Sequence, residues 1–537
     1  MRPEHVPCSE GSRAPLTPHI VPRTERAAGR LLAAVDAFCN RLYGQPFNPL
    51  YQSGTIVLAL YLALVVTGLW LLLFYRVGAP WASVARLTAD PWLGNWVRGV
   101  HRYASDLAVL ATLVHAARMF AQGRSWGPRA LAWSTGVLLL LALLACGWTG
   151  FVMVWDSFGL YLAREGARML DTLPVLSEPT GRAFTGEQPL PTAFFFLNLF
   201  AHVGIPLAMG VLFLLHVKRV ARPVLLPPRP LLWAVIGLLV GAALIRPVAM
   251  APEADPLRLP REIPVDLFFA FWIPLTRGLD GGVALALAVA AALALSAVPA
   301  ITRRRGPAAP PVSVVDEELC VGCEQCALDC PYGAIAMVER VGPRSELVAR
   351  VDPALCVSCG ICAGSCAPMG VGPPGRSGRD QLAALRAHAT APDRRPGEIV
   401  VLCCVHGPAA LSADIVDAGG VPYPVDCAGN LHTSVIEQLL RGGAAGVLVL
   451  TCPPRDCRHR EGPRWLAERV YHGREAELQA RVPRTRVAVA HVDAADSVAV
   501  GAALGALAIR VASLEGDGGV GPEAPGECES ALAERGR

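Results

Sequence analysis

Two stretches of the chain, HRYASDLAVLATLVH at residues 101–115 and HVGIPLAMGVLFLLH at residues 202–216, each begin and end on histidine inside an apolar run. Ionisable residues are rare within membrane helices, so two pairs at one interval need a reason. At 100° per residue that interval falls about 40° short of four turns, so both members of a pair face one way, about 21 Å apart along the axis. Two such helices can hold two stacked six-coordinate irons, His101 pairing with His202 and His115 with His216. Four unrelated histidines bonded to backbone carbonyls would not repeat the interval. Gly54 and Gly68 repeat it, as do Gly136 and Gly150, and a porphyrin between helices needs the close backbone approach that a Cβ obstructs. No Cys-x-x-Cys-His occurs, so the reading is two b-type haems without thioether bonds.

The rest of the chain fits a membrane setting. Of 537 residues 53% are hydrophobic and 17% charged, against roughly one-quarter charged in soluble domains, which excludes a single soluble enzyme. A net charge of +4 gives no case for nucleic acid. About 20 apolar residues cross a bilayer. Gly54–Tyr75, Tyr103–Phe120, Leu131–Trp155, Phe194–Val217 and Val283–Ile301 meet that need, and Leu231–Ile245 is marginal. Six spans put both ends on one side, together with Arg23, Arg26, Arg30, Arg41, Arg124, Arg129, Lys218, Arg219, Arg222, Arg229 and Arg303 to Arg305. By the positive-inside rule that side is the cytoplasm, so the expected location is the inner (cytoplasmic) membrane. Residues 1–49 show no signal-peptide pattern.

Fourteen of the seventeen cysteines follow residue 301. Cys320-x-x-Cys323-x-x-Cys326-x-x-x-Cys330-Pro331 and Cys356-x-x-Cys359-x-x-Cys362-x-x-x-Cys366 have the spacing of a two-cluster ferredoxin, in which the fourth thiolate crosses to the other cluster. That assigns Cys320, Cys323, Cys326 and Cys366 to one [4Fe-4S] cluster and Cys356, Cys359, Cys362 and Cys330 to the other. Structural zinc would use two Cys pairs instead. Ala367 replaces the proline usual after the second motif. The run Gly370-x-Gly372-x-x-Gly375 contains Pro373 and Pro374 and follows no strand, so it is not a dinucleotide site.

From residue 398, strand-like and helical stretches alternate, implying a parallel sheet covered on both faces. Three strands end in Cys403, Cys427 and Cys452. Ligands gather at the carboxyl ends of such strands, so these cysteines and Cys457 should form one more site, most simply [2Fe-2S], at a surface edge open to a partner. The competing reading is strand-end cysteines packed as small hydrophobes. Whether Cys404 or His406 joins the set stays open. Cys8, Cys39, Cys146 and Cys528 suggest no role.

Three resemblances sharpen these readings. Residues 50–301 resemble cytochrome b of quinol-oxidising bc complexes in the two His pairs, the two Gly pairs, Arg98 before His101, Arg118 after His115, and Pro206. The resemblance implies that Arg98 and Arg118 meet haem propionates. Where that family has Pro-Glu-Trp-Tyr and Pro-Trp-Gly, this chain reads Pro264-Val265-Asp266-Leu267 and Val154-Trp155-Asp156; Asp266 and Asp156 read as solvated loop carboxylates rather than displaced proton acceptors. The cysteine quartets resemble a bacterial two-[4Fe-4S] ferredoxin. Cys427-Ala428-Gly429 and Thr451-Cys452-Pro453-Pro454-Arg455-Asp456-Cys457 resemble the delta subunit of methyl-viologen-reducing hydrogenase, which implies a flavoprotein, hydrogenase or heterodisulfide reductase-like partner.

The expected fold class is multidomain: a transmembrane helical bundle of about six spans, a small α+β ferredoxin and an α/β parallel-sheet domain. The expected parts are a polar N-terminal segment (1–49), the di-haem membrane domain (50–301), linkers at 302–313 and 371–396, the ferredoxin (314–370), the delta-like domain (397–514) and a disordered tail (515–537). The expected function is electron transfer between a cytosolic low-potential partner and the quinone pool, with quinone as substrate. The expected route runs from the delta-like site through the ferredoxin pair to the haem on His115 and His216. The alternatives are bc-type quinol oxidation with the iron-sulfur half as acceptor, and a non-catalytic wiring or redox-sensing subunit. A homodimer is left open.

Overall fold

Continuous apolar sequence dictates the first half. In the computed structural model, which describes residues 23–125, 129–173, 184, 190–218, 223–258, 266–301, 311–340, 345–389, 397–474 and 476–516, the membrane domain contains α1 (Arg23–Tyr43), α2 (Ser53–Leu72), α3 (Pro80–Ala89), α4 (Gly94–Ala121), α5 (Ala130–Val154), α6 (Ser157–Leu170), α7 (Thr192–Lys218), α8 (Arg229–Ile245), α9 (Ile273–Thr276) and α10 (Gly281–Ile301). Cys8, Cys528, Arg219, Arg222, Pro264, Val265 and Arg303 to Arg305 lie outside the described residues, as do most of the expected tail and of the first linker.

Helix α2 packs on α4 and α5 on α7, with Leu60, Val100, Ala104, Ala108, Leu143 and Met209 in the shared core. Helix α8 closes against α4 where Gly99 leaves room, because a Cβ there would stand 2.8 Å from that of Ala243. Pro206 inside α7 has no N–H to give the His202 carbonyl, which accepts instead from the Cys146 thiol at 3.7 Å. Helix α4 begins at Gly94, before the apolar run, so His101 lies well inside it. Within the expected polar N-terminal segment, α1 forms a helix that packs on α4.

In the ferredoxin region β1 (Val314–Val315) pairs antiparallel with β4 (Val371–Gly372), and β2 (Ile335–Glu339) with β3 (Leu347–Val351). Short helices α11 (Gln325–Leu328) and α12 (Ile361–Ser365) follow the cysteine turns. The expected second linker is largely structured: it supplies β4 and α13 (Gly378–Ala389). The C-terminal domain has four parallel strands, β5 (Ile399–Cys404), β6 (Gly420–Val425), β7 (Gly446–Thr451) and β8 (Val487–His491), in the order β6-β5-β7-β8.

Strand alternation sorts β5 onto two cores. Val400 and Leu402 face α13, α15 (Thr433–Arg441) and α16 (Gly462–Tyr471), while Val401 and Cys403 face α14 (Ser412–Asp417) and α17 (Ser497–Gly516). Helix α17 is long and apolar enough to cross a membrane, yet Val500, Leu504, Leu507 and Val511 bury one side of it on the sheet. The bundle therefore consists of α2, α4, α5, α7, α8 and α10, with α8 short at 17 residues.

Leu402 is fully buried in the central strand pair. Leu402→Ala should destabilise the C-terminal domain by about 2–5 kcal/mol, read as a lower urea midpoint for iron release with the haem spectrum unchanged.

Candidate functional site

Each of the four membrane histidines is held in the same way. Thr67 Oγ1 lies 2.8 Å from His101 Nδ1, Ser53 Oγ 3.3 Å from His115 Nδ1, Thr149 Oγ1 3.0 Å from His202 Nδ1 and Thr135 Oγ1 3.0 Å from His216 Nδ1. Three of these hydroxyls donate in turn to carbonyls one turn back: Thr67 to Ala63, Thr135 to Leu131 and Thr149 to Cys146. A hydroxyl that accepts a hydrogen bond from Nδ1–H fixes the tautomer and leaves Nε2 as the ligating nitrogen. The residue after each hydroxyl is a glycine. A Cβ on Gly54, Gly68, Gly136 or Gly150 would meet Cε1 of His115, His101, His216 or His202 at 3.0, 3.2, 3.4 or 2.9 Å. The Ser/Thr-Gly dipeptides at 53–54, 67–68, 135–136 and 149–150 carry this arrangement in the sequence; the glycines stand out there by their interval, the hydroxyls only once Nδ1 is placed.

His101 and His202 face each other with ring centroids 6.3 Å apart, which fits two metal–nitrogen bonds of about 2 Å plus the two ring radii. His115 has His216 as its electrostatic neighbour. Cys146, for which no role was expected, supports His202 through its carbonyl at 3.0 Å from Nδ1.

The two arginines have partners within the chain. Arg98 donates to the carbonyls of Val248 and Ala249 at 2.7 and 3.5 Å. Arg118, 3% exposed, pairs with Asp36 at 2.6 Å and Asp456 at 2.8 Å. The expectation of solvated carboxylates at positions 156 and 266 is corrected. Asp156 is buried and caps α6 by accepting from Gly159 N–H at 2.9 Å. Asp266 pairs with Arg102 and accepts from the N–H of Phe268 and Phe269. Both carboxylates are committed to holding loops in place.

In the ferredoxin region the cysteines line two cavities. Cys320, Cys323, Cys326 and Cys366 surround one, and Cys330, Cys356, Cys359 and Cys362 the other. Each cavity draws three cysteines from one motif and one from the other. Backbone N–H groups of Ala334 and Gly370 donate to Cys330 Sγ at 3.3 Å and Cys366 Sγ at 3.2 Å, bonds of the kind that set iron-sulfur potentials. Among the described residues no three of these thiols lie within 4.8 Å of one another. One zinc with metal–sulfur bonds of about 2.3 Å would draw them closer, so the spacing suits a polynuclear cluster.

The C-terminal set differs by one residue from the expected one. Cys403 lies on the α14 and α17 side of the sheet, packed with Val401, Leu448 and Ile415. Cys404, one residue on and past the last pairing with β7, turns to the opposite face. There it is buried beside Cys452 and Cys457, with its Sγ 3.7 Å from that of Cys452, and it also meets Cys427. The convergent thiols are therefore Cys404, Cys427, Cys452 and Cys457. Glycines make room for them: a Cβ on Gly462 would stand 3.1 Å from Cys427 Sγ and 3.3 Å from Cys457 Sγ. His406 stacks edge-on against His459, ring centroids 5.2 Å apart. Burial beside Arg458 and Arg124 pulls His406 down to about 4.

The expectation that this site is an open docking edge is corrected as well. The loop carrying Cys457 presses on the bundle end that holds His115 and His216. Asp456 receives Arg118 and Gln122, the Asp456 carbonyl accepts from Arg124 at 2.6 Å, and Arg129 donates to the Arg458 carbonyl at 2.6 Å. Tyr51 donates to Asp493 at 2.8 Å. On its other side the same domain meets the second ferredoxin motif, where Asn430 donates to the Gly360 carbonyl at 2.9 Å and Trp465 packs on Cys359 and Ile361. The four-cysteine set thus stands between the ferredoxin and the bundle.

This register predicts opposite outcomes for adjacent residues. Cys404→Ser should lower the iron bound by the full chain, whereas Cys403→Ala should leave it unchanged and cost only stability. Iron analysis of the full chain together with EPR reads both. His115→Ala should lower haem from two to one per chain in a pyridine haemochrome assay.

Comparison with known proteins agrees with these three regions. Residues 39–222 match the family described as cytochrome b/b6/petB, residues 319–370 the 4Fe-4S dicluster domain, and residues 399–515 the methyl-viologen-reducing hydrogenase delta subunit. A solved structure described as "Hyperthermophilic respiratory Complex III" aligns with 48% of this chain and 78% of its own, at 16% identity and a TM-score of 0.39. The chain is a multi-pass membrane electron-transfer protein that joins a cytochrome b domain, a 4Fe-4S dicluster ferredoxin and a hydrogenase delta-subunit domain in one polypeptide.

Proposed function

We propose that this protein carries single electrons between a cytoplasmic low-potential partner and membrane quinone, and that the sites act in the order ferredoxin pair, four-cysteine site, His115/His216, His101/His202. In this reading His101 with His202 and His115 with His216 each hold one b haem, the eight ferredoxin cysteines hold two [4Fe-4S] clusters, and Cys404, Cys427, Cys452 and Cys457 hold a third iron-sulfur cluster, most simply [2Fe-2S]. These groups supply one-electron redox chemistry; the protein supplies spacing, burial and charge.

The observation that carries the proposal is the contact of Asp456, the residue before Cys457, with Arg118 and Arg124 at the bundle end bearing His115. It replaces the route expected from the sequence, in which the C-terminal site is outermost. The ferredoxin then becomes the receiving module, since Cys320 and Cys323 are only half-buried while Cys404, Cys427, Cys452 and Cys457 are enclosed. A flavoprotein, hydrogenase or heterodisulfide reductase-like partner would therefore dock on the ferredoxin. The iron-sulfur half would lie in the cytoplasm, where thiols stay reduced.

Cys452→Ser tests the order. It should leave both ferredoxin clusters and both haems in place, yet slow haem reduction at least tenfold when a low-potential protein donor is mixed with the full chain in a stopped-flow cell. Undiminished haem reduction would show that the ferredoxin delivers directly to the bundle. A soluble menaquinone analogue should then reoxidise the wild-type haems, and failure to do so would remove quinone from the proposal.

A further inference from the structure

Arg469 on α16 is 0% exposed, the largest of the fully buried side chains among the described residues. Its Nη1 donates to the Leu431 carbonyl at 3.0 Å, and its Nη2 to the carbonyls of Gly429 at 3.0 Å and Ile361 at 3.5 Å. Its Nε has no hydrogen-bond partner. Among the described residues no carboxylate forms an ion pair with it; Asp329, whose charge reaches it, is itself paired with Arg474 at 2.6 Å. Asp329, shared with Arg474, therefore compensates this buried cation only in part, and a further anion nearby would lower the cost of its burial.

The surroundings name that anion. Gly364, between Cys362 and Cys366, lacks the Cβ that would otherwise stand 2.0 Å from Arg469 Nη1. The carbonyl of Gly429 belongs to the turn that begins at Cys427. The guanidinium thus fills the seam between the second ferredoxin motif and the four-cysteine site, and Cys362 and Cys427 are the thiols whose charge reaches it. Four thiolates around an iron-sulfur core leave a net negative charge, which grows by one unit on reduction. A cation in this seam favours the reduced state on whichever side the electron stands.

We infer that Arg469 is a positioning residue shared by the Cys330/Cys356/Cys359/Cys362 site and the Cys404/Cys427/Cys452/Cys457 site, raising the potential of both so that an electron crosses the seam without a deep trap on either side. One electron leaves the ferredoxin side and one arrives at the C-terminal side; no bond is made or broken and no proton moves. The inference rests on the ligand sets proposed above.

The test is an EPR-monitored redox titration of the full chain in detergent. Arg469→Met removes the charge and keeps an unbranched side chain. It should shift the potentials of the two flanking centres downward while leaving the Cys320/Cys323/Cys326/Cys366 centre and both haems where they are. Arg469→Lys, which restores the charge, should recover most of the shift. Should the Met variant not accumulate with full iron, Arg469→Gln, which keeps a donor for the Gly429 and Leu431 carbonyls without the charge, answers the same question. Unchanged flanking potentials in an iron-replete variant, or an equal shift in every centre, would make Arg469 a structural clamp and overturn the inference. Absence of the flanking clusters from the wild-type chain would instead overturn the ligand sets.

Discussion

Arg118 lies at the end of a membrane helix, almost wholly buried, and must be paired. Its two carboxylates come from distant parts of the chain: Asp36 from the helix before the first span and Asp456 from the C-terminal domain. Breaking a buried pair of this kind costs about 3–5 kcal/mol, so this one interaction ties the C-terminal domain to the bundle at a fixed position. Tyr51 stacks under the same guanidinium at 4.7 Å and donates to Asp493. Burial lifts the Asp36 carboxyl to about 6 despite the pull of Arg118. The junction is therefore a packed polar core rather than a loose tether.

From that junction the order of sites follows. Asp456 is the neighbour of Cys457, so fixing one carboxylate against Arg118 fixes a thiol near the His115 end of α4. On the far side Asn430, Trp465 and Arg469 fix Cys427 against the second ferredoxin motif. Arginines thus stand at both seams, the buried Arg118 and the partly buried Arg124 at one and the buried Arg469 at the other. Each compensates its burial through carboxylates, carbonyls or thiolate charge, and each makes the relative placement of two redox sites part of the fold.

Much of this was legible in the sequence where ligands are local. The intervals from His101 to His115 and from His202 to His216, and the two cysteine quartets, are fixed by helix and turn geometry within a few residues, so they can be read before any docking of elements is known. The confusion of Cys403 with Cys404 has a different origin. Which residue of a strand end faces which side depends on the pairing of β5 with β6 and β7, and a shift of one residue reverses the face. Asp36, Asp456 and Arg469 were invisible for a third reason. Their partners lie 82, 338 and up to 108 residues away, and only docking of folded units brings them together.

In this arrangement the four-cysteine site, and not the ferredoxin, is the neighbour of the His115/His216 site. Pulsed EPR tests it in full-chain samples freeze-quenched after the iron-sulfur centres are reduced and before the haems are, by measuring how strongly low-spin ferric haem accelerates the relaxation of each reduced centre. Strong acceleration is expected for the centre lost in Cys404→Ser, weaker acceleration for the ferredoxin centres, and loss of most of the effect in His115→Ala. Stronger acceleration of a ferredoxin centre than of the C-terminal one would contradict it.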